Sequence, residues 1–245
     1  MIPAIASAEC TVRSGPTTNV LVELFTSEGC DSCPPADRWF SRLGRGATGP
    51  QRTIPLAFHV DYWDYIGWKD RFGNALFTER QRALAKAANS TRVYTPQVVV
   101  AGRDFPPWRD EAEASRAFEA ASSKPARAMI SVVSRPPKDR QVLSSVAVSL
   151  VSGERAADTA TFVAVVESGL SSRVTAGENR GATLLHDHVV RELIVTPSQG
   201  ADTTFANIVT FPPERSLERS AIVVFVQNLK SGEILQALRA PICRP

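Results

Sequence analysis

The sequence has few of the features that mark a membrane, nucleic-acid or metal-binding protein. It contains no apolar run near the roughly 18 residues that a membrane-spanning helix needs, so we expect no span. Its net charge is only +3, and its lysines and arginines are scattered, which predicts no nucleic-acid partner. Among 245 residues there are three histidines and four cysteines. We therefore predict no metal and no cofactor.

The clearest chemical signal lies in residues 19–40, NVLVELFTSEGCDSCPPADRWF. The apolar run VLVELF is typical of a strand that is buried on both faces. The residues Ser-Glu-Gly interrupt this strand, and the two prolines after Cys33 fit the first turn of a helix. Cys30 and Cys33 are thus predicted at a helix N-terminus, where unpaired N–H groups stabilise a thiolate.

A Cys-x-x-Cys pair in this position is typical of thiol–disulfide exchange. The first cysteine attacks and the second resolves the mixed disulfide, so we assign Cys30 as the nucleophile and Cys33 as the resolving thiol. Glu28 and Asp31 oppose thiolate formation, and a strongly acidic Cys30 is not expected. Two alternatives stay open: half of a zinc site, which needs two further ligands, and an inert structural bridge.

The other two cysteines, Cys10 and Cys243, lie near opposite ends of the chain. Chain ends of a compact protein are often close together, which predicts a structural disulfide between them; two free thiols are the alternative. Closing so long a loop contributes on the order of 5 kcal/mol in the chain-entropy model. Such a bridge predicts a periplasmic or secreted protein. The small apolar segment 2–8 with its A-x-A pattern agrees, and it predicts that residues 1–18 are a signal remnant and N-terminal arm.

The sequence pattern changes near residue 124. Before it, strand and helix patterns alternate, which predicts an α/β domain over residues 19–124. After it, short β-rich runs separated by turn residues predict an all-β, antiparallel, sandwich-like domain over residues 125–245.

The order of elements over residues 19–122 resembles the thioredoxin-like superfamily. In that order the Cys-x-x-Cys precedes the first helix, and Thr95-Pro96 opens a later strand. The resemblance implies a thioredoxin-like fold, a cis Pro96 that faces the cysteines, and a Thr95 backbone that pairs with the substrate chain. The dipeptide Asp31-Ser32 replaces the Gly-Pro of thioredoxin and departs from the pattern.

Four segments resemble the DUF1223 family of secreted bacterial proteins: VELFTSEGCDSCPPAD, HVDYWDYIGWKD, YTPQVVVAG and GENRGATLLHDHVVREL. The resemblance covers nearly the whole chain. It implies an exported protein in which a thioredoxin-like domain is followed by a β-rich domain, and it implies no particular substrate.

An aromatic insertion, residues 62–73, follows a predicted strand at its carboxyl end, the side on which open α/β sheets place their sites. Trp63 and Trp68 are predicted to contact a substrate peptide, and a loop that packs its own aromatic rings is the alternative. Asp61 is a possible proton relay to Cys33. Residues 178–181 are predicted to form a polar turn without an assigned role.

The favoured function is an exported thiol-disulfide oxidoreductase-like protein that acts on protein thiols or disulfides. A second reading is a copper chaperone-like protein that uses the two cysteines with His59, or with His186 and His188, which share a strand face at i and i+2. A third is a non-catalytic adaptor in which the Cys30–Cys33 bridge only locks its loop.

Overall fold

Strands dominate residues 9–43 and 53–244, the part of the chain that this computed structural model describes. Strands hold 42% of these residues and helices 17%. The strands are β1 (Cys10–Arg13), β2 (Val20–Thr26), β3 (Thr53–His59), β4 (Gln97–Val100), β5 (Arg103–Asp104), β6 (Ala128–Ser134), β7 (Gln141–Leu150), β8 (Thr159–Glu167), β9 (Leu170–Arg173), β10 (Thr183–His186), β11 (Val189–Pro197), β12 (Asp202–Thr210), β13 (Ser220–Asn228) and β14 (Ile234–Pro241). The described α-helices are α1 (Pro34–Phe40), α2 (Ala75–Ala87) and α3 (Glu111–Ser122). The predicted signal remnant at residues 2–8 lies outside the described ranges.

Eight of the strands form one mixed sheet in the order β14-β13-β8-β11-β3-β2-β4-β5. A second sheet has the order β1-β6-β7-β12, and β9 pairs with β10 in a separate hairpin. Strands from the two halves of the sequence meet between β11 and β3. There Val189 is registered with Ala57 in a parallel pairing, and the Ala57 N–H donates to the carbonyl oxygen of His188 at 2.8 Å.

The predicted fold class, an α/β thioredoxin-like domain followed by a separate all-β sandwich, is wrong. The chain is mostly β-sheet, and the large sheet takes strands from both sides of residue 124. The sequence contained a sign of this arrangement. β8 and β13 are apolar at successive positions and buried along almost their whole length, whereas a sandwich strand with one solvated face alternates. The division of the chain into domains at residue 124 stays a prediction.

Three hydrophobic clusters cover the two faces of the large sheet. On one face, α2 packs with Phe77 and Leu84 against strands from both halves of the sequence. On the other face, the four-stranded sheet covers β8, β13 and β14, while α1 and α3 cover β2 and β4. Trp39 and Trp108 contact each other in this last cluster, with ring centroids 5.6 Å apart.

The two cysteines near the chain ends are joined by a disulfide. The Cα atoms of Cys10 and Cys243 are 5.6 Å apart, and the bond spans 233 residues. It ties β1, an edge strand of the small sheet, to the segment that follows β14. None of the helices in the described ranges combines the length and the hydropathy needed to span a bilayer.

A buried ion pair sits where α2 meets the large sheet. Arg80 of α2 donates from Nε to Glu23 Oε1 of β2 at 2.6 Å, and both side chains are almost fully buried. The Arg80 guanidinium also lies 4.8 Å from the ring centroids of Phe162 and Phe225. Since Glu23 lies in β2 and the two rings lie in β8 and β13, this one side chain connects both halves of the sheet.

Replacing Arg80 by Met should lower the free energy of unfolding by roughly 3–5 kcal/mol, because Glu23 is left as a buried charge without its partner. Urea unfolding followed by circular dichroism measures the loss. Arg82→Met is the matched control: the Arg82–Glu79 pair lies on the same helix with side chains 57% and 65% exposed, and such pairs contribute about 0–1 kcal/mol. Equal losses in the two variants would contradict this account.

Candidate functional site

The Cys30–Cys33 pair closes a tight turn between β2 and α1. The Cys30 N–H donates to the carbonyl oxygen of Ser27, and the Cys33 N–H donates to that of Cys30, both at 3.2 Å. The two cysteines are joined by a disulfide, with Cα atoms 5.4 Å apart. Pro34 and Pro35 begin α1 directly after Cys33, where a missing N–H costs nothing. Both cysteines have 0% exposed surface, so the disulfide is shielded from solvent.

Glu28 lies two residues before Cys30 and is fully buried. Its two carboxylate oxygens accept hydrogen bonds from Trp68 Nε1 at 2.8 Å and from His186 Nε2 at 3.0 Å. Burial raises the pKa of Glu28, but the hydrogen bond from His186 and the one from Trp68 outweigh burial and hold the pKa below its ordinary value. The carboxylate beside the disulfide is therefore ionised and directed towards His186.

Asp70 holds the same turn from the aromatic insertion. Its Oδ2 accepts from the Glu28 backbone N–H at 2.8 Å and from His59 Nδ1 at 2.7 Å. Burial raises the pKa of Asp70, yet the facing His59 and the backbone donors lower it below its ordinary 3.8. Burial lowers the pKa of His59, while Asp70 and then Asp37 raise it above 6.5. His59 and Asp70 thus form a buried ion pair beneath the Cys-x-x-Cys turn.

Asp37 adds a third buried carboxyl group to this cluster. It lies one helical turn after Cys33, and its Oδ1 accepts from Thr26 Oγ1 at 2.8 Å. Burial raises the pKa of Asp37 above its ordinary value, although His186 and His59 partly offset the effect. The rings of His59 and His186 are edge to face, with centroids 4.9 Å apart. Shifted pKa values of this kind are found at functional sites and in structural ion-pair networks.

The turn between β9 and β10, residues 174–182, contacts the cysteines from the outside; we call it the hairpin tip. The amide Nδ2 of Asn179 donates to the carbonyl oxygens of Glu28 and Cys30, both at 2.9 Å. Glu178 Oε2 accepts from the Asp31 backbone N–H at 3.1 Å. Sequence reasoning assigned residues 178–181 no role. The contacts come from the polar side chains of Glu178 and Asn179, whereas Gly181 has a φ of +89° and only shapes the turn.

Trp63 links the cysteine turn to Thr95-Pro96. A Cβ atom added to Gly29 would lie 3.0 Å from Trp63 Cβ, so the Trp63 backbone passes directly beside the turn. The Trp63 indole Nε1 donates to Thr95 Oγ1 at 2.7 Å. The Thr95-Pro96 peptide bond is cis, and both residues are partly exposed. Trp63 therefore lies between the cysteine turn and the residues predicted to present the substrate.

Two other predicted site residues are engaged within the protein. The indole N–H of Trp68 donates a hydrogen bond to Glu28, as described above, and the ring is partly exposed. Asp61 Oδ1 accepts a hydrogen bond from Thr78 Oγ1 of α2. The structure therefore places Trp68 against the cysteine turn and ties the Asp61 carboxylate to a helix.

The segment His186-Asp187-His188 is not part of one strand. His186 ends β10, His188 has a φ of +60°, and β11 begins at Val189. The ring of His186 faces Glu28 and His59, whereas that of His188 lies 6.2 Å from Phe40, centroid to centroid. Within residues 9–43 and 53–244 no group of three or more His, Cys, Asp or Glu side chains is arranged to hold a metal ion.

The model of the protein family of unknown function DUF1223 matches residues 21–227. The match covers most of the chain and includes the Cys-x-x-Cys, the aromatic insertion, Thr95-Pro96 and the hairpin tip. The chain belongs to this family, as the sequence segments predicted. None of the curated proteins compared with the chain matches it.

Two solved structures are similar over nearly the full length of this chain. Protein AGR_C_4864 from Agrobacterium tumefaciens has a TM-score of 0.66 and 23% identity, with 95% of this chain and 98% of that chain covered. HBP35 of Porphyromonas gingivalis has a TM-score of 0.67 and 14% identity, with 94% of this chain and 76% of that chain covered. At these identities the likeness concerns the fold alone.

The His59–Asp70 pair should make stability depend on pH in a defined window. Since the pKa of Asp70 is lowered, its contribution to the free energy of unfolding is present above pH 3.8 and is lost as the pH falls through the lowered pKa. Since the pKa of His59 is raised, its contribution to the free energy of unfolding is complete below pH 6.5 and is lost as the pH rises through the raised pKa. The pair therefore contributes most between about pH 4 and pH 6.5.

Asp70→Asn should lower the free energy of unfolding by roughly 3–5 kcal/mol at pH 5.5 and by less at pH 3 and at pH 9. Urea unfolding at the three pH values measures this. Asp139→Asn serves as the control, because Asp139 is exposed and does not belong to the buried cluster around the cysteine turn. A loss in Asp70→Asn that is the same at all three pH values would show that the charge of the pair contributes nothing.

Proposed function

We propose that this protein is an extracytoplasmic thiol-disulfide oxidoreductase that acts on protein thiols or disulfides through Cys30 and Cys33. The observation that carries the proposal is the closed Cys30–Cys33 disulfide above a buried cluster of ionisable groups, Glu28, Asp37, His59, Asp70 and His186. Buried charges cost free energy unless they are paired, and ionisable groups with shifted pKa values are concentrated at functional sites, which supports the proposal.

The reaction proposed for the reduced protein has two steps. The Cys30 thiolate attacks a substrate disulfide, a bond forms between Cys30 Sγ and one substrate sulfur, and the other substrate sulfur leaves as a thiolate. The Cys33 thiolate then attacks Cys30 Sγ, which restores the Cys30–Cys33 disulfide and releases the second substrate thiolate. Two electrons pass to the substrate, and a dithiol donor must reduce the pair again. The reverse sequence oxidises a substrate dithiol.

Five further residues have proposed roles around the cysteines. The partly exposed Thr95-Pro96 is proposed to present the substrate chain, and the contacts of Trp63 with both Thr95 and the cysteine turn support this role. Trp63 and Trp68 are proposed to contact the substrate with their exposed edges. Asp37 takes the proton-relay role that the sequence assigned to Asp61, since it lies one turn after Cys33 whereas Asp61 is bonded to α2.

An extracytoplasmic location is proposed because the chain holds two disulfides. Disulfides persist in oxidising compartments and are rare where glutathione keeps thiols reduced. One of the two joins residues near the chain ends, which is a structural rather than a catalytic position.

One observation favours a second function, a non-catalytic adaptor with a static bridge. The sulfur atoms of Cys30 and Cys33 belong to residues with no exposed surface, which is the usual situation of an inert disulfide. The two functions differ in whether Cys30 can form a bond to another molecule.

The Cys33→Ser variant separates them. With its resolving thiol removed, the reduced variant should form a stable mixed disulfide between Cys30 and a disulfide-containing peptide, detected by mass spectrometry as a mass increase on the peptide that holds Cys30. Cys30→Ser is the matched control and should form at least tenfold less adduct, because Cys33 is assigned only the resolving role. If Cys33→Ser forms no adduct, the bridge is static and the adaptor reading holds.

A further inference from the structure

This inference rests on the proposed function. The closed disulfide is inaccessible to solvent, whereas thiol–disulfide exchange requires access to it. A thiolate displaces a sulfur by approaching along the line of the S–S bond, so access to at least one sulfur is required. Cys30 and Cys33 are each 0% exposed, while Asp31 and Ser32 between them are exposed. The cysteine turn reaches solvent, but its sulfur atoms do not. Some element of the site must move before exchange can begin.

The inner side of the turn is held too firmly to be the moving part. Glu28 is fully buried and bonded to Trp68 and His186, and its backbone N–H is bonded to Asp70. Breaking these contacts would leave a carboxylate unpaired in the interior, which costs several kcal/mol. Motion on this side is therefore rare.

The outer side is held by contacts that bury no charge. Two side chains of the hairpin tip, Glu178 and Asn179, make three hydrogen bonds to the backbone of residues 28–31. Glu178 is exposed, so its bond to Asp31 contributes less than a buried charged hydrogen bond does. The tip belongs to a separate hairpin whose strands, β9 and β10, have four residues each.

The backbone of the tip also suits a hinged element. Gly177 and Gly181 flank the two clamping residues, with φ values of +71° and +89°, in the left-handed region that glycine adopts without strain. A Cβ atom at Gly177 would lie 3.3 Å from both Ile66 Cδ1 and Trp68 Cβ, so the tip packs closely against the aromatic insertion when it is closed.

We infer that Glu178 and Asn179 are positioning residues that keep the hairpin tip closed over Cys30 and so set the rate at which thiols reach the Cys30–Cys33 disulfide. The tip satisfies the Asp31 N–H and the Glu28 and Cys30 carbonyl groups. A protein substrate has to displace the tip to reach the disulfide, and a substrate that cannot displace it reacts slowly.

The test is the rate at which dithiothreitol reduces Cys30–Cys33 in the full chain. One dithiothreitol thiolate attacks a sulfur of the pair, and the other cysteine leaves as a thiolate and takes a proton. The second dithiothreitol thiolate then attacks the reagent sulfur of the mixed disulfide, which closes the cyclic disulfide and releases the attacked cysteine as a thiolate. Quenching with an alkylating reagent and peptide mass spectrometry counts the free thiols at each cysteine separately. Cys10–Cys243 in the same molecule reports any global unfolding.

Asn179→Ala removes both amide donors and should speed the reduction of Cys30–Cys33 roughly tenfold. A tenfold change in rate corresponds to about 1.4 kcal/mol, which is the size expected for the loss of one or two hydrogen bonds. Asn179→Asp keeps the size but turns a carboxylate towards two carbonyl oxygens, and should speed it at least as much. Arg180→Ala on the same tip is the control and should stay within twofold of the unchanged protein. The inference is wrong if both Asn179 variants also stay within twofold.

A folding defect is recognised by faster reduction of Cys10–Cys243 as well. In that case the reduction rates of Glu178→Ala and Glu178→Gln are compared. Glutamine retains an oxygen that can accept from the Asp31 N–H, so only the alanine variant should be reduced faster. Equal rates in the two variants would overturn the inference. The proposed function fails separately. If the variants are reduced faster and yet Cys33→Ser forms no mixed disulfide with a peptide, the tip still gates the bridge but the bridge does not exchange with protein substrates.

Discussion

The carboxylate of Glu28 is buried two residues before Cys30, and the shape of the cysteine turn depends on satisfying it. A buried carboxylate is stable only with hydrogen-bond partners, and Trp68 and His186 supply them. The backbone of the same residue bonds to Asp70 and Asn179. These four partners come from the aromatic insertion and from the β9–β10 hairpin with its tip, so the turn depends on both segments being packed against it.

This constraint explains why the turn that holds the cysteines depends on segments from the second half of the sequence. Segments more than a hundred residues apart are joined at the disulfide by His186 and Asn179, and at the centre of the large sheet by Arg80. The inner side of the disulfide faces a stiff cluster of charges, and its outer side faces a lightly held tip. Reactivity would then be set by the tip rather than by the acidity of Cys30.

The local features of the site were predictable from the sequence, whereas their long-range partners were not. The apolar run, the Ser-Glu-Gly break and the two prolines place Cys30 and Cys33 between a strand and a helix, as observed. The pairing of Val189 with Ala57 and the bond of His186 to Glu28 join segments whose own sequences carry no information about each other. The separate sandwich was predicted wrongly because short strands divided by turns are typical of sandwiches, whereas the non-alternating pattern of β8 and β13 belongs to strands covered on both faces.

The central claim, that Cys30–Cys33 is a reversible redox pair, is tested most directly by its reduction potential. The full chain is equilibrated in dithiothreitol and glutathione buffers of known potential, and the free thiols of each cysteine are counted by mass spectrometry. The account predicts reversible reduction of Cys30–Cys33 between about −120 and −270 mV, the range of catalytic dithiols, while Cys10–Cys243 stays oxidised. A pair that remains oxidised below about −300 mV, as structural disulfides do, would contradict it.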